Sequence, residues 1–135
     1  MFNFTTTIRY SLRLLINLAL CSKSPKQLKK ISAEESISLP YLRKLIIPLE
    51  KSGIVKSLRG PGGGFILGRK PQEVSLSEVI NILNHSKAID CLDDSSNCTR
   101  YEDCAVKDLL EEVYSKVQSV FKNKTLATMI KRGPK

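Results

Sequence analysis

The sequence predicts a mainly α domain with a small β-hairpin wing: a winged helix-turn-helix plus a long C-terminal dimerisation helix. Three observations predict it. Two short helical segments lie a few residues apart, within residues 24–35 and 38–53, the spacing of a helix-turn-helix. A hairpin pattern follows directly, with β-prone Ile54-Val55-Lys56-Ser57-Leu58 and Phe65-Ile66-Leu67 flanking Arg59-Gly60-Pro61-Gly62-Gly63-Gly64. A single apolar stripe then runs through Val106, Leu109, Leu110, Val113, Val117, Val120 and Phe121.

Each element has its own signal. Ile8, Leu12, Leu15, Ile16, Leu18 and Ala19 recur at helical spacing, which predicts an amphipathic helix from about Thr6 to Cys21, with Cys21 a small core residue. Ser24 and Pro25 read as N-cap and first helical position of the second helix. That places Leu28, Ile31 and Ser32 inward and Lys26, Lys29 and Lys30 outward. In the third helix Ser38 or Leu39 precedes the first turn, Pro40 sits in it and Gly53 ends it. Pro48 removes a backbone donor and is expected to kink or loosen the last turn. Leu76 to Leu83 reads as a short helix capped by Ser75, with Glu78 three residues on. The polar stretch from Asn84 to Asp103 reads as a loop, closed by Cys104. A long helix is expected from about Ala105 to Phe121, and a last helical turn between Thr125 and Ile130. The long stripe calls for a partner, and a two-fold mate is the economical one.

Charge narrows the function. The 135 residues carry a formal net charge of +9. Met1 to Lys70 holds 13 basic and 3 acidic residues, and Pro71 to Lys135 holds 9 basic and 10 acidic. All the excess positive charge lies in the first half, as expected of an N-terminal module facing a polyanion. The basic residues are spread over several elements rather than along one exposed amphipathic helix, which argues against a membrane surface. No run of 18 apolar residues could span a bilayer. Leu-Ala-Leu-Cys at residues 18–21 looks like the end of a lipoprotein signal, but Arg13 and Asn17 interrupt the apolar stretch before it. A cytoplasmic protein is expected, with its four cysteines as thiols or metal ligands rather than structural disulfides. The glycine run ends in Gly-Phe, not the Gly-Lys-Ser/Thr of a phosphate loop, so nucleotide binding is not expected. With one histidine, no Ser-His-Asp set and no evident acid pair, the chain does not read as an enzyme.

Two constellations carry chemistry. A recognition helix enters the major groove by its N-terminal end, which here brings Ser38, Pro40, Tyr41, Arg43 and Lys44 to DNA. Tyr41 either contacts a phosphate through its hydroxyl or serves in packing. Arg43 reaches either a guanine edge, bidentately, or a phosphate. Arg59 at the wing tip suits a narrow minor groove, and Gly60 lets the backbone come close to the duplex. Cys91, Cys98 and Cys104 fall in one polar segment without strong helix or strand pattern. Such backbone can bend thiolates around an iron–sulfur cluster; a regulatory disulfide and a zinc site are the alternatives, although the spacing is not that of a C-x2-C knuckle. Three thiolates leave a fourth position, for which His85, Asp90, Glu102, Asp103 and Asp108 are candidates.

Taken together, ISLPYLRKLIIPLEKSGIVKSLRGPGGGFILG, LSEVI and three cysteines before a long helix resemble the bacterial winged-helix transcription regulators that include IscR, NsrR and CymR. The resemblance spans about Phe4 to Ile130 and is most specific from Gly53 to Gly68. It implies a dimer joined through the long C-terminal helix. It places Ser38, Pro40, Tyr41, Arg43 and Arg59 at DNA-contacting positions, and Cys91, Cys98 and Cys104 at the ligand positions of a 2Fe–2S or 4Fe–4S cluster, with 2Fe–2S the first choice. Three departures stand out. Lys107 occupies the place of a histidine found in IscR-like members, and a protonated lysine cannot ligate iron. Arg9 occupies the place of an aspartate found in NsrR-like members. Arg43 replaces an acidic residue of IscR-like members, so the operator is expected to differ.

The expected organisation is a DNA-binding domain over residues 1–83, a cysteine-bearing sensor loop over 84–104, and a dimerisation helix and tail over 105–135. The expected function is a sequence-specific regulator, a repressor first, that binds double-stranded DNA as a homodimer. Its affinity would respond to redox state, nitric oxide or iron–sulfur supply through the cluster. The alternative is a cluster-free regulator that senses oxidants through thiols, or binds a small molecule or partner protein.

Overall fold

The structure is a computed structural model that describes residues 5–21, 24–83 and 98–131. Helix α1 spans Thr6–Leu20 and is capped by the Thr5 hydroxyl, which accepts from the Ile8 N–H. Its apolar spacing buries Ile8, Leu14, Leu15 and Leu18. Helices α2 (Leu28–Glu35) and α3 (Leu39–Lys51) pack on it around a short turn, where Ser36 takes a left-handed conformation with φ 54°. Ser38 caps α3 by accepting from the Tyr41 N–H at 3.4 Å. Pro48 lies within α3, which continues through it to Lys51 and is not broken. The neighbouring Leu45, Ile46 and Leu49 are all buried and anchor this last turn to the core.

Strands β1 (Val55–Leu58) and β2 (Gly64–Leu67) form the antiparallel hairpin, in register Val55↔Leu67 to Leu58↔Gly64. A short 3-10 turn at Pro71–Glu73 leads into α4, Leu76–Leu83. Ser75 caps α4 through the Glu78 N–H at 3.1 Å, but the Glu78 carboxylate pairs with Arg69 across the turn. The long helix α5 spans Lys107–Asn123 and packs on α4. The final helix α6, Leu126–Lys131, returns to α1 and buries Leu126 in the same core as Leu14, Ile31, Leu42 and Val79. A bridge between Ser75 and Thr125 ties the two chain segments together.

The start of the second helix differs from the sequence expectation. Helix α2 begins at Leu28, with Gln27 before it, rather than at Ser24-Pro25. The intervening chain stays extended because Lys26 pairs with Phe65 of β2 through two backbone hydrogen bonds of 3.0 and 2.8 Å. Lys26 is therefore not an outward residue of a helix: it is only 7% exposed. Cys21 also differs, being a half-buried cap of α1 rather than a core residue.

Candidate nucleic-acid interface and cysteine segment

The first turn of α3 presents Pro40, Arg43 and Lys44 to solvent, while Leu42, Leu45 and Ile46 on its other side anchor it in the core. Helical spacing separates the two sets, so the basic face stays free while the helix is fixed. Ser38 is exposed, with its hydroxyl already engaged as the cap. Tyr41 is half-buried, and its hydroxyl lies 2.9 Å from Thr7 Oγ1 in the first turn of α1. The Tyr41 ring meets Tyr10 edge-on at 5.7 Å between centroids, and the Arg13 guanidinium sits 5.4 Å from the Tyr10 ring centre. Tyr41 thus joins the N-terminal ends of α1 and α3. This pairing across 34 residues carries no local sequence signal.

On the wing, Arg59, Gly60, Pro61 and Gly62 are all exposed. Gly60 has φ 97°, a conformation side chains rarely adopt. Gly64 is fixed for a different reason: a Cβ there would lie 2.6 Å from the Lys26 carbonyl oxygen. The wing approaches the Lys26 strand closely because that position is bare.

Behind the wing lies a polar cluster that sequence reasoning missed. The Lys26 ammonium donates to Asn17 Oδ1 at 2.6 Å, to the Glu34 carboxylate, and to Cys21 Sγ at 3.6 Å. The Asn17 amide donates in turn to Glu34 at 3.0 Å and to Glu35 at 2.8 Å, and Arg13 pairs with Glu35 at 3.1 Å. Burial works against the Lys26 charge, yet the Glu34 carboxylate and the Cys21 sulfur together outweigh it and raise the Lys26 pKa above its ordinary value. The same contact with Lys26, together with Asn17, lowers the Glu34 pKa. The cluster holds α1, α2 and the wing strand in one arrangement.

Of the three cysteines singled out in the C-terminal half, Cys98 and Cys104 are half-buried, free thiols. They sit on consecutive turns: the Cys98 carbonyl accepts from Tyr101 and the Cys104 carbonyl from Lys107, both at 3.3 Å. Cys91, His85 and Asp90 lie outside the described residues. Among the described residues no three His, Cys, Asp or Glu side chains converge as a metal site, so Glu102, Asp103 and Asp108 do not gather with the two thiols. The donor set still suits iron–sulfur chemistry, with two unpaired thiols on irregular backbone. Lys107 stacks its ammonium over the Tyr101 ring, 4.1 Å from the centroid, and Tyr101 donates its hydroxyl to Glu111 at 3.4 Å.

The fold and basic face define a winged-helix DNA-binding class of protein, and the comparisons name its family. A family model described as Rrf2, an iron-dependent transcriptional regulator, matches residues 4–132, and the chain belongs to this family. The transcriptional regulator IscR of Serratia proteamaculans is 32% identical over 127 residues, covering 93% of this chain and 77% of its own. The solved structure of T. potens IscR is 31% identical with a TM-score of 0.79, and covers 96% of this chain and 87% of that one. CymR, the global cysteine regulator of B. subtilis, is 29% identical with a TM-score of 0.84, and covers 99% of this chain and all of that one. The recognised resemblance and winged-helix fold therefore hold, and the function is transcriptional regulation rather than catalysis. Among the described residues no helix is long and apolar enough to cross a membrane.

Proposed function

We propose that this chain binds specific double-stranded DNA as a cytoplasmic homodimer, and that its cysteine segment tunes that binding. The observation that carries the reading is the placement of Arg43 and Lys44 beside an exposed Arg59 wing, in a chain half whose basic residues far outnumber its acidic ones. Arg43 and Lys44 reach the major groove, with Ser38, Pro40 and Tyr41 around them, while Arg59 and Gly60 reach the adjacent minor groove. In this organisation residues 1–83 bind DNA, 84–104 sense, and 105–135 carry the dimer contacts.

Cys91, Cys98 and Cys104 would hold an iron–sulfur cluster, 2Fe–2S ahead of 4Fe–4S. Such a group supplies a centre reactive towards oxidants and nitric oxide. The chain's own part is to relay position. Cys104 lies just before α5, α5 packs on α4, and α4 packs on α3. Restraining or releasing the cysteine segment biases where the two recognition helices of a dimer stand. Coupling of this kind is a difference in DNA affinity between the two states.

A second reading, thiol sensing without a cluster, is favoured by Lys107. Its ammonium is engaged with Tyr101 where an IscR-like ligand would stand, and CymR matches the chain over its length. Anaerobic purification with absorption spectroscopy and iron and sulfide analysis separates the two readings. Visible bands that disappear on replacing Cys91, Cys98 or Cys104 support the cluster. Colourless protein that resists reconstitution, but changes DNA affinity on oxidation, supports the thiols.

A further inference from the structure

Two adjacent isoleucines of α3 have opposite fates. Ile46 is 4% exposed and packs in the core, whereas Ile47 is 52% exposed. Leu42, Leu45, Ile46 and Leu49 are buried and fix the rotation of the helix, so Ile47 cannot turn inward. On the outer face Arg43 stands one turn before Ile47, Lys51 one turn after it, and Lys44 three residues before it. All three cations are exposed, and among the described residues none of them joins an ion pair. The one carboxylate of the helix, Glu50, accepts the Ser57 hydroxyl of β1 at 2.7 Å. A single exposed isoleucine is ordinary by itself. One set in a row of free cations meets whatever those cations bind.

We infer that Ile47 is a specificity-determining residue that reads the C5-methyl group of a thymine in the major groove. The inference rests on the DNA-binding reading above and names a chemical group that this reading leaves open. Charge complementarity commits the row of cations to a polyanion rather than to an apolar partner. The base edges of the major groove present hydrogen-bonding groups and one apolar group, the thymine methyl. Over a guanine or adenine edge, Ile47 would strip water from the base acceptors and return no bond. Over a thymine it covers one methyl with its own carbons, which removes apolar surface from water on both sides. The helix also sets the place. Residues 43 and 47 are about 6 Å apart along the axis, and successive base pairs are about 3.4 Å apart. The thymine therefore lies within about two base pairs of the Arg43 contact.

The test uses the full chain and a duplex recovered by selection from a random pool. Each thymine is replaced in turn by deoxyuridine, which keeps the base pair and removes only the methyl. The wild type is expected to lose about fourfold in affinity at one thymine per half-site. Ile47→Ala is expected to bind the unmodified duplex about fourfold more weakly and to bind thymine and uracil equally at that position. Arg43→Ala keeps the distinction, since the methyl contact belongs to Ile47. Alanine is a strong helix former and the site is exposed, so Ile47→Ala keeps the fold, which urea unfolding checks. Any effect of uracil on the duplex itself is the same for both proteins and cancels in the comparison. A loss that Ile47→Ala leaves intact, or a duplex in which no uracil matters, overturns the methyl reading while DNA binding stands. Failure of folded wild-type protein to select any duplex overturns the DNA-binding reading and this inference with it.

Discussion

At the residue scale, Arg59 and Lys26 illustrate two roles of positive charge. Arg59 is exposed at the wing tip, with its charge free for a phosphate or a minor groove. Arg59→Ala is expected to weaken binding of a selected duplex about tenfold and to lower the slope of log affinity against log salt by about one; fluorescence anisotropy at several salt concentrations measures both. Lys26 faces inward, and its value is structural. Replacing it with Met leaves Asn17 and Glu34 without their cation and is expected to cost about 1–2 kcal/mol in urea unfolding, less than a fully buried pair because Glu34 is partly solvated. The pH dependence follows from the two shifts. Glu34, lowered by Lys26, contributes stability that is complete above the ordinary carboxylate value and is lost as pH falls through its folded value. Lys26, raised by Glu34 and Cys21 against its burial, contributes stability that is complete below the ordinary lysine value and is lost only as pH climbs through its higher folded one. The difference in stability between the wild type and Lys26→Met should therefore be flat across neutral pH and shrink in acid.

At the element scale, local chemistry made most of the fold legible. Ser38 with Pro40 marked the start of α3, the glycine run marked the hairpin, and Ser75 marked α4, because caps and turns are decided by adjacent residues. Non-local pairing was not legible. Ser24-Pro25 had the form of a helix start, but the strand bond from Lys26 to Phe65 holds this stretch extended. The polar cluster behind the wing draws on Asn17, Lys26 and Glu34 from three segments, and no spacing rule connects them. The engaged Tyr41 hydroxyl is of the same kind: DNA contact and packing were both open for the tyrosine in the sequence, and its Thr7 partner was not legible. Helix α5 carries an unsatisfied apolar face, with Leu109 61% and Val120 54% exposed. Leu109→Asp together with Val120→Asp is expected to convert a dimer into a monomer and to lower DNA affinity at least tenfold, since two half-sites are then no longer read by one particle. Sedimentation and duplex titration of the same samples check both effects. Gly64→Ala is expected to loosen the wing strand from Lys26, since the added carbon meets the Lys26 carbonyl, and to cost about 1–3 kcal/mol of stability.

At the scale of the whole molecule, the proposed sensing segment and the proposed DNA-reading face lean on one packed core. Phe121 near the end of α5 is buried, and Leu126 of α6 packs with residues of α1 and α3. From Cys104, just before α5, the packing of α5 on α4 and of α4 on α3 gives a continuous path, and in the proposed reading α3 and the wing move only as the core allows. In the proposed function, the α3 and wing face reads DNA sequence. The most direct test is a titration of the full chain, at one fixed salt concentration, with a selected duplex and a scrambled duplex of equal length. The account predicts a preference of about a thousandfold or more for the selected duplex, reduced by Arg43→Ala. Equal affinity for the two duplexes, untouched by Arg43→Ala and Arg59→Ala, would contradict it.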